Sequence, residues 1–164
     1  MSRTGFHHSS LAFAVLLALV PLGACGSPAE DDVAHICIDY VYFETPGDAV
    51  DDASAVVLGR VVERAGTGDF EGVDASIFTI AVDEWVESGT GPGAEQPEQI
   101  EVMSLPRTCG ESGDALADAV GGDALYLFLR EVDGQWETLT PFQGQIPPDG
   151  NGEIPSQWPG DIYD

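Results

Sequence analysis

Lysine is absent from this chain, and cations of any kind are scarce: Lys+Arg number 5 against Asp+Glu 29, for a formal net charge of -24. After residue 24 the only cations are Arg60, Arg64, Arg107 and Arg130. A surface this acidic excludes nucleic acid as a partner, since that affinity comes largely from cations displacing the counterions condensed on phosphates. It is also repelled by anionic lipid headgroups, which attract basic segments. The plain reading of the acids is a solvated, soluble surface, and the competing one is a specific cationic ligand. Histidine is equally scarce, with His7, His8 and His35 as the full set, and cysteine occurs three times, at 25, 37 and 109. Hydrophobic residues nevertheless make up 43% of the chain and three are tryptophan, so the composition is that of a folded protein with a core rather than a disordered one. A length of 164 residues suits one domain.

The longest apolar run is "LAFAVLLALVPL", about a dozen residues, too short to span a bilayer as a mature helix and the right length for a signal-peptide core. Ahead of it, "MSRTGFHHSS" carries Arg3 and no acid; after it come Leu22, Gly23, Ala24 and Cys25, and then the abruptly acidic "GSPAEDD". This arrangement closely resembles the bacterial lipoprotein signal and its lipobox. The competing reading is an ordinary secretory signal with a cysteine at the cleavage site. The resemblance implies that residues 1–24 are a cleaved signal peptide and that the Cys25 thiol takes a diacylglycerol and becomes the first mature residue. It further implies a protein held by lipid at the extracytoplasmic face of the cell membrane. Each buried methylene contributes about 0.8 kcal/mol, and two acyl chains anchor stably where one does so marginally. Residues 25–34 read as an acidic tether, and His7 and His8 leave with the signal, so His35 is the one mature histidine.

The rest divides into a domain over 35–142 and a turn-rich C-terminal extension over 143–164. "HICIDYVYF" (35–43) is β-branched and aromatic and predicts a first strand or extended segment; "ETPGDAVDDA" predicts a turn with one helical turn. "SAVVLGRVVER" (54–64) predicts a strand with a bulge at Gly59, followed by a hairpin loop at "AGTGDFEG". "VDASIFTIAVDEWV" (73–86) alternates, with Phe78, Ile80 and Val82 on one face. A short strand at 100–105, a helical turn at 114–119 and a hairpin of 124–132 with 135–142 across Asp133-Gly134 follow, then one short strand near 152–158. About five strands and no long amphipathic helix predict an all-β barrel or sandwich with short helical turns.

With Cys25 assigned to lipid, Cys37 and Cys109 remain, and in an oxidising compartment the default is a disulfide between them. Closing a loop of about 70 residues is worth roughly 4 kcal/mol by chain entropy. Metal ligation by the two thiols and His35 is the competing arrangement, but it lacks a close-spaced ligand pair. The order of a cysteine-bearing first segment, "ASAVVLGRVVE", "DEWVESG", a strand before "CG", and "GGDALYLFL" resembles the netrin-like domain. That is the OB-fold barrel shared with the tissue inhibitors of metalloproteinases. The resemblance covers about residues 35–140 and implies a small five-stranded OB-like barrel. The inhibitors' mature N-terminal Cys-X-Cys has no counterpart in "HICID", so their inhibitory site does not carry over.

For catalysis, a Ser or Cys nucleophile needs a base, and His35 sits at the tether junction with no nucleophile motif; "GESGD" lacks the spacing of a nucleophile elbow. "DAVDD" (48–52) and "PDGNGE" (148–153) offer oxygens for calcium but match no twelve-residue calcium loop. No phosphate loop is present and no cofactor is implied. Tyr40, Tyr42, Phe43, Trp85, Trp136 and Trp158 are candidates for a recognition surface, although a small barrel needs most of its large side chains inside. The expectation is a lipid-anchored, non-catalytic binding domain whose partner is an exported protein or a cell-envelope component. Two alternatives stand beside it: an envelope hydrolase or metal-dependent enzyme working through carboxylates alone, and a purely structural acidic spacer. The hydrolase requires a cleft with two carboxyl groups about 5–9 Å apart and a raised pKa.

Overall fold

The computed structural model describes residues 37–88, 96–111 and 113–160, all within the unit Ala34–Asp164. The signal segment 1–24, Cys25, the tether 25–34 and His35 lie outside the described residues. In chain order the elements are α1 (Pro46–Asp52), β1 (Ala55–Phe70), β2 (Val73–Ser88), β3 (Gln99–Ser104), α2 (Ala115–Asp118), β4 (Leu125–Val132), β5 (Gln135–Thr138) and β6 (Gln145–Ile146). The sheet runs β1-β2-β3-β5-β4, and β4 pairs back onto β1, which closes a five-stranded barrel. All contacts are antiparallel except the short parallel pairing of β3 with β5. The protein is therefore a small all-β, OB-like barrel, with two short helices among the described residues. Neither helix is long and apolar enough to cross a membrane.

Alternation places the core as the pattern predicts. Phe78 and Ile80 of β2 are buried and Val82 packs against them, joined inside the barrel by Val57, Val61, Val102, Leu127 and Leu129. Leu116 of α2 is fully buried in the same cluster, so the helical turn between β3 and β4 fills the interior with one side chain. Asp114 makes that turn possible by accepting the N–H groups of Leu116 and Ala117 at 3.1 and 3.4 Å.

The run "LYLFL" is apolar at every position because β4 is buried on both faces. Leu127 and Leu129 point into the barrel, while Tyr126 and Phe128 belong to a second cluster with Phe43, Ala49, Val56, Leu139 and Ile146. That outer cluster is covered by α1, which Thr45 starts with a capping box to Asp48 and Pro46 at its first turn. It is also covered by the C-terminal segment: Trp158 packs edge-on against Phe128 with ring centroids 5.7 Å apart. Residues after 142 thus complete the core.

Several local readings are corrected. β1 continues through "AGTGDF" to Phe70, and the hairpin turns on Glu71 and Gly72 alone, at φ 53° and 82°. The two-residue turn with both residues left-handed matches the strand twist, so the glycines at 66 and 68 are free to stay in the strand. Gly68 pairs with Ala75 and leaves room for Met103, whose Cε would lie 2.5 Å from a Cβ there. The bulge expected at Gly59 is present as a register shift between Leu58 and Gly59. A Cβ at Gly59 would meet Ala81 O at 2.6 Å, which excludes any side chain. The described part of 35–43 takes the extended form of the two expected and not the strand; 152–158 forms no strand, and among the described residues the last strand is β6, at 145–146.

Candidate binding cleft beside the disulfide

A cleft of about 230 Å³ lies between the extended segment 38–42, the loop 108–111 and residues 140–143. The last of these comes from an interruption of one strand. Leu129 pairs with Thr138 and Leu127 with Gln145, while Phe128 between them donates to Gly144 O and accepts from Leu139 N, both at 3.0 Å. One β4 residue therefore bonds both ends of a four-residue excursion, 140–143, and β5 and β6 are two halves of one strand. The neck is tight: a Cβ on Gly144 would sit 2.6 Å from both Thr138 Cβ and Thr140 O. Thr140 Oγ1 holds the excursion by accepting Gln143 N–H at 2.7 Å and Phe142 N–H at 3.3 Å.

The excursion in turn fixes the N-terminal segment. Buried Gln143 accepts Phe43 N–H at 2.9 Å and donates to Phe43 O at 2.7 Å, two bonds that imitate one rung of a strand ladder. Trp158 Nε1 donates to the same carbonyl at 3.0 Å. Ile38 N–H is accepted by Thr108 Oγ1 at 3.0 Å, and the Tyr40 hydroxyl donates to Pro106 O at 2.7 Å. Burial pushes the Tyr40 phenol up to about 12, and its ring stacks on Phe70 at 6.3 Å. The segment is extended but joins no sheet, because side chains satisfy its backbone where a strand would have needed a free sheet edge. The Cys37–Cys109 disulfide closes the arrangement, with Cα atoms 4.5 Å apart. Cys109 and Gly110 form the centre of a tight turn at φ 61° and 84°, with Glu111 N–H donating to Thr108 O at 3.2 Å.

The cleft's rim is apolar and aromatic. Tyr42 is 63% exposed and Val41 58%, and Phe142 lines the wall. Its charged lining consists of the carboxylates Asp39 and Glu111. The Arg107 guanidinium lies 4.9 Å from the Phe142 ring centroid but belongs to a neighbouring depression of about 380 Å³, with Ser76, Ser104 and Asp114. Glu111 borders both. Arg107 Nε is buried without a hydrogen-bond partner there, and Asp114 is already engaged by Ser104 Oγ at 2.6 Å and by α2.

Of the aromatic candidates, Tyr40 and Tyr42 line this cleft; Phe43 is core beneath it. Trp85 and Trp136 form a tilted pair at 6.0 Å against the barrel interior, and Trp158 is taken up by Phe128 and Phe43. The acidic loops are used by their own backbone. Residues 48–52 are α1, with Asp52 paired to Arg130 at 3.3 Å. Asp149 accepts N–H groups of Asn151 and Glu153 at 2.8 and 2.9 Å, and these bonds, that from Glu153 foremost, lower its pKa. Among the described residues no group of three His, Cys, Asp or Glu side chains is placed to hold a metal. Burial raises the pKa of Glu137, but Glu137 faces Arg130 across β4 and β5, whose charge opposes the shift, and it lines none of these depressions.

Thr108, Glu111, Thr140, Phe142 and Gln143 were not singled out from the sequence. The usable signal was "TPFQGQ", in which a proline and a glycine four residues after the threonine mark a break in a strand. Comparison with known proteins gives no match to any family model, curated protein or solved structure.

Proposed function

We propose that this chain is a lipid-anchored, extracytoplasmic binding module that catalyses nothing and engages an exported protein or cell-envelope component through the cleft beside the disulfide. Cys25 is the lipid attachment point, after cleavage of residues 1–24, and the acidic stretch 25–34 is the tether. The netrin-like resemblance contributes the barrel as scaffold only. The observation that carries the reading is the pairing of a rigid floor with an exposed aromatic rim: Gln143 and the disulfide fix the backbone of 37–43, while Tyr42 stands 63% exposed at its edge. Aromatic side chains presented from a rigid element are the usual anchors of recognition surfaces.

The test has two parts. Cys25→Ser should abolish labelling by a radioactive fatty acid and release the protein from the membrane; persistent labelling overturns the anchor. A photo-crosslinking amino acid at position 42 should then capture a discrete partner from intact cells, where the same probe at exposed Val132, on the β4–β5 hairpin, does not. Equal capture at both positions overturns the cleft as the binding site.

A further inference from the structure

We propose that the cleft recognises a cationic peptide segment, seating an arginine or lysine side chain between the Asp39 and Glu111 carboxylates and the Tyr42 and Phe142 rings. The inference rests on the binding reading above and names its ligand chemistry. Three observations converge on it. The lining contains two carboxylates and no cation; the nearest guanidinium named, that of Arg107, lines the neighbouring depression that Glu111 also borders. The aromatic and apolar rim matches a side chain that carries charge on a hydrocarbon stem, as arginine and lysine do. Phe142 already holds the Arg107 guanidinium 4.9 Å from its ring centroid, so engagement of such a group by this ring is seen within the chain itself.

Charge selects this occupant over the others. A chain at -24 attracts a basic segment over distance and repels an acidic one, and the attraction is focused where low-dielectric walls flank the carboxylates. An uncharged oligosaccharide would stack on the rings and donate hydroxyls to the carboxylates, but would leave their charge uncompensated. A second copy of the chain carries the same negative charge and is repelled.

The experiment uses the full-length protein in detergent and a fluorescein-labelled octa-arginine peptide, with anisotropy read at about 150 mM salt, where exposed charges more than roughly 8 Å apart are screened. Because any acidic protein attracts such a peptide, the comparison is between equal charge removals. Asp39→Asn with Glu111→Gln should weaken binding about tenfold, whereas Glu131→Gln with Asp133→Asn, on the β4–β5 hairpin, should weaken it less than about twofold. Tyr42→Ala should weaken it about fivefold without altering the salt dependence. Equal losses from both charge pairs would overturn the proposal, as would tighter binding of an octa-glutamate peptide or a chitin tetramer at the cleft. If the position 42 crosslinker captures a neutral or acidic partner, the binding reading stands and the cationic ligand falls. If it captures none selectively, the binding reading falls first.

Discussion

The barrel and the rim of the cleft are held by different forces. In the barrel, backbone pairs with backbone: β1 and β2 run sixteen residues each in one antiparallel ladder, and their side chains interdigitate around Phe78, Ile80 and Leu127. In the rim, side chains pair with backbone across long stretches of chain. Ile38 reaches Thr108, Tyr40 reaches Pro106, Phe43 reaches Gln143 and Trp158, and the disulfide spans a separation of 72. A ladder stabilises many residues cooperatively, whereas each rim bond stands on one side chain. The rim is therefore the region that sequence change or chemistry can alter while the barrel persists.

The comparison can be broken most severely from the barrel side. Phe128→Ala removes a fully buried ring touching Trp158 and should cost about 4 kcal/mol, read as a fall in the denaturant midpoint with loss of all near-UV signal together. A small change would mean that the outer cluster is not part of the cooperative unit. Cys37→Ser with Cys109→Ser should cost at most roughly 4 kcal/mol, the loop-entropy value. Its distinctive outcome is local: amides of 38–42 exchange rapidly while those of β2 and β4 stay protected. Uniform loss of protection would show that rim and barrel are one unit. Gln143→Ala strands the Phe43 N–H in a buried site and should cost about 2–3 kcal/mol, again with the largest exchange changes at 42–44.

The smallest effect is titration of Tyr40. Its folded pKa is about 12 against an ordinary 10, so between those values the unfolded chain loses the proton while the folded one keeps it. Stability is thus undiminished by this group below pH 10 and declines as pH rises from 10 to 12. Tyr40→Phe should flatten that decline in melting temperature and, by losing the bond to Pro106, cost about 1 kcal/mol at neutral pH. A variant with the same slope as the parent would assign the effect to another group.

Elements with local signatures were legible. Phe78, Ile80 and Val82 revealed their shared face by alternation, Asp133-Gly134 its turn, and Gly59 its bulge. The stretches left open or misread were those whose state depends on distant residues. "HICIDYVYF" has strand composition, yet no sheet edge is offered to its described residues, and Gln143, Thr108 and Trp158 take the place of a partner strand. "AGTGDF" has loop composition, yet the β2 ladder holds it as strand. The excursion at 140–143 was hidden because a break in a strand is defined by what the neighbouring strand does at Phe128.

By itself, the sequence determined the all-β class and the strongly acidic charge, because alternation and charge are properties of the chain alone, and it made Cys37 with Cys109, the pair that the structure joins, the expected disulfide once Cys25 is set aside. Tertiary structure alone decided where the cleft lies and which aromatics stand at its rim. Those depend on contacts between residues 66 to 115 positions apart, and no local preference encodes which distant backbone group a Gln143, a Tyr40 or a Trp158 will find.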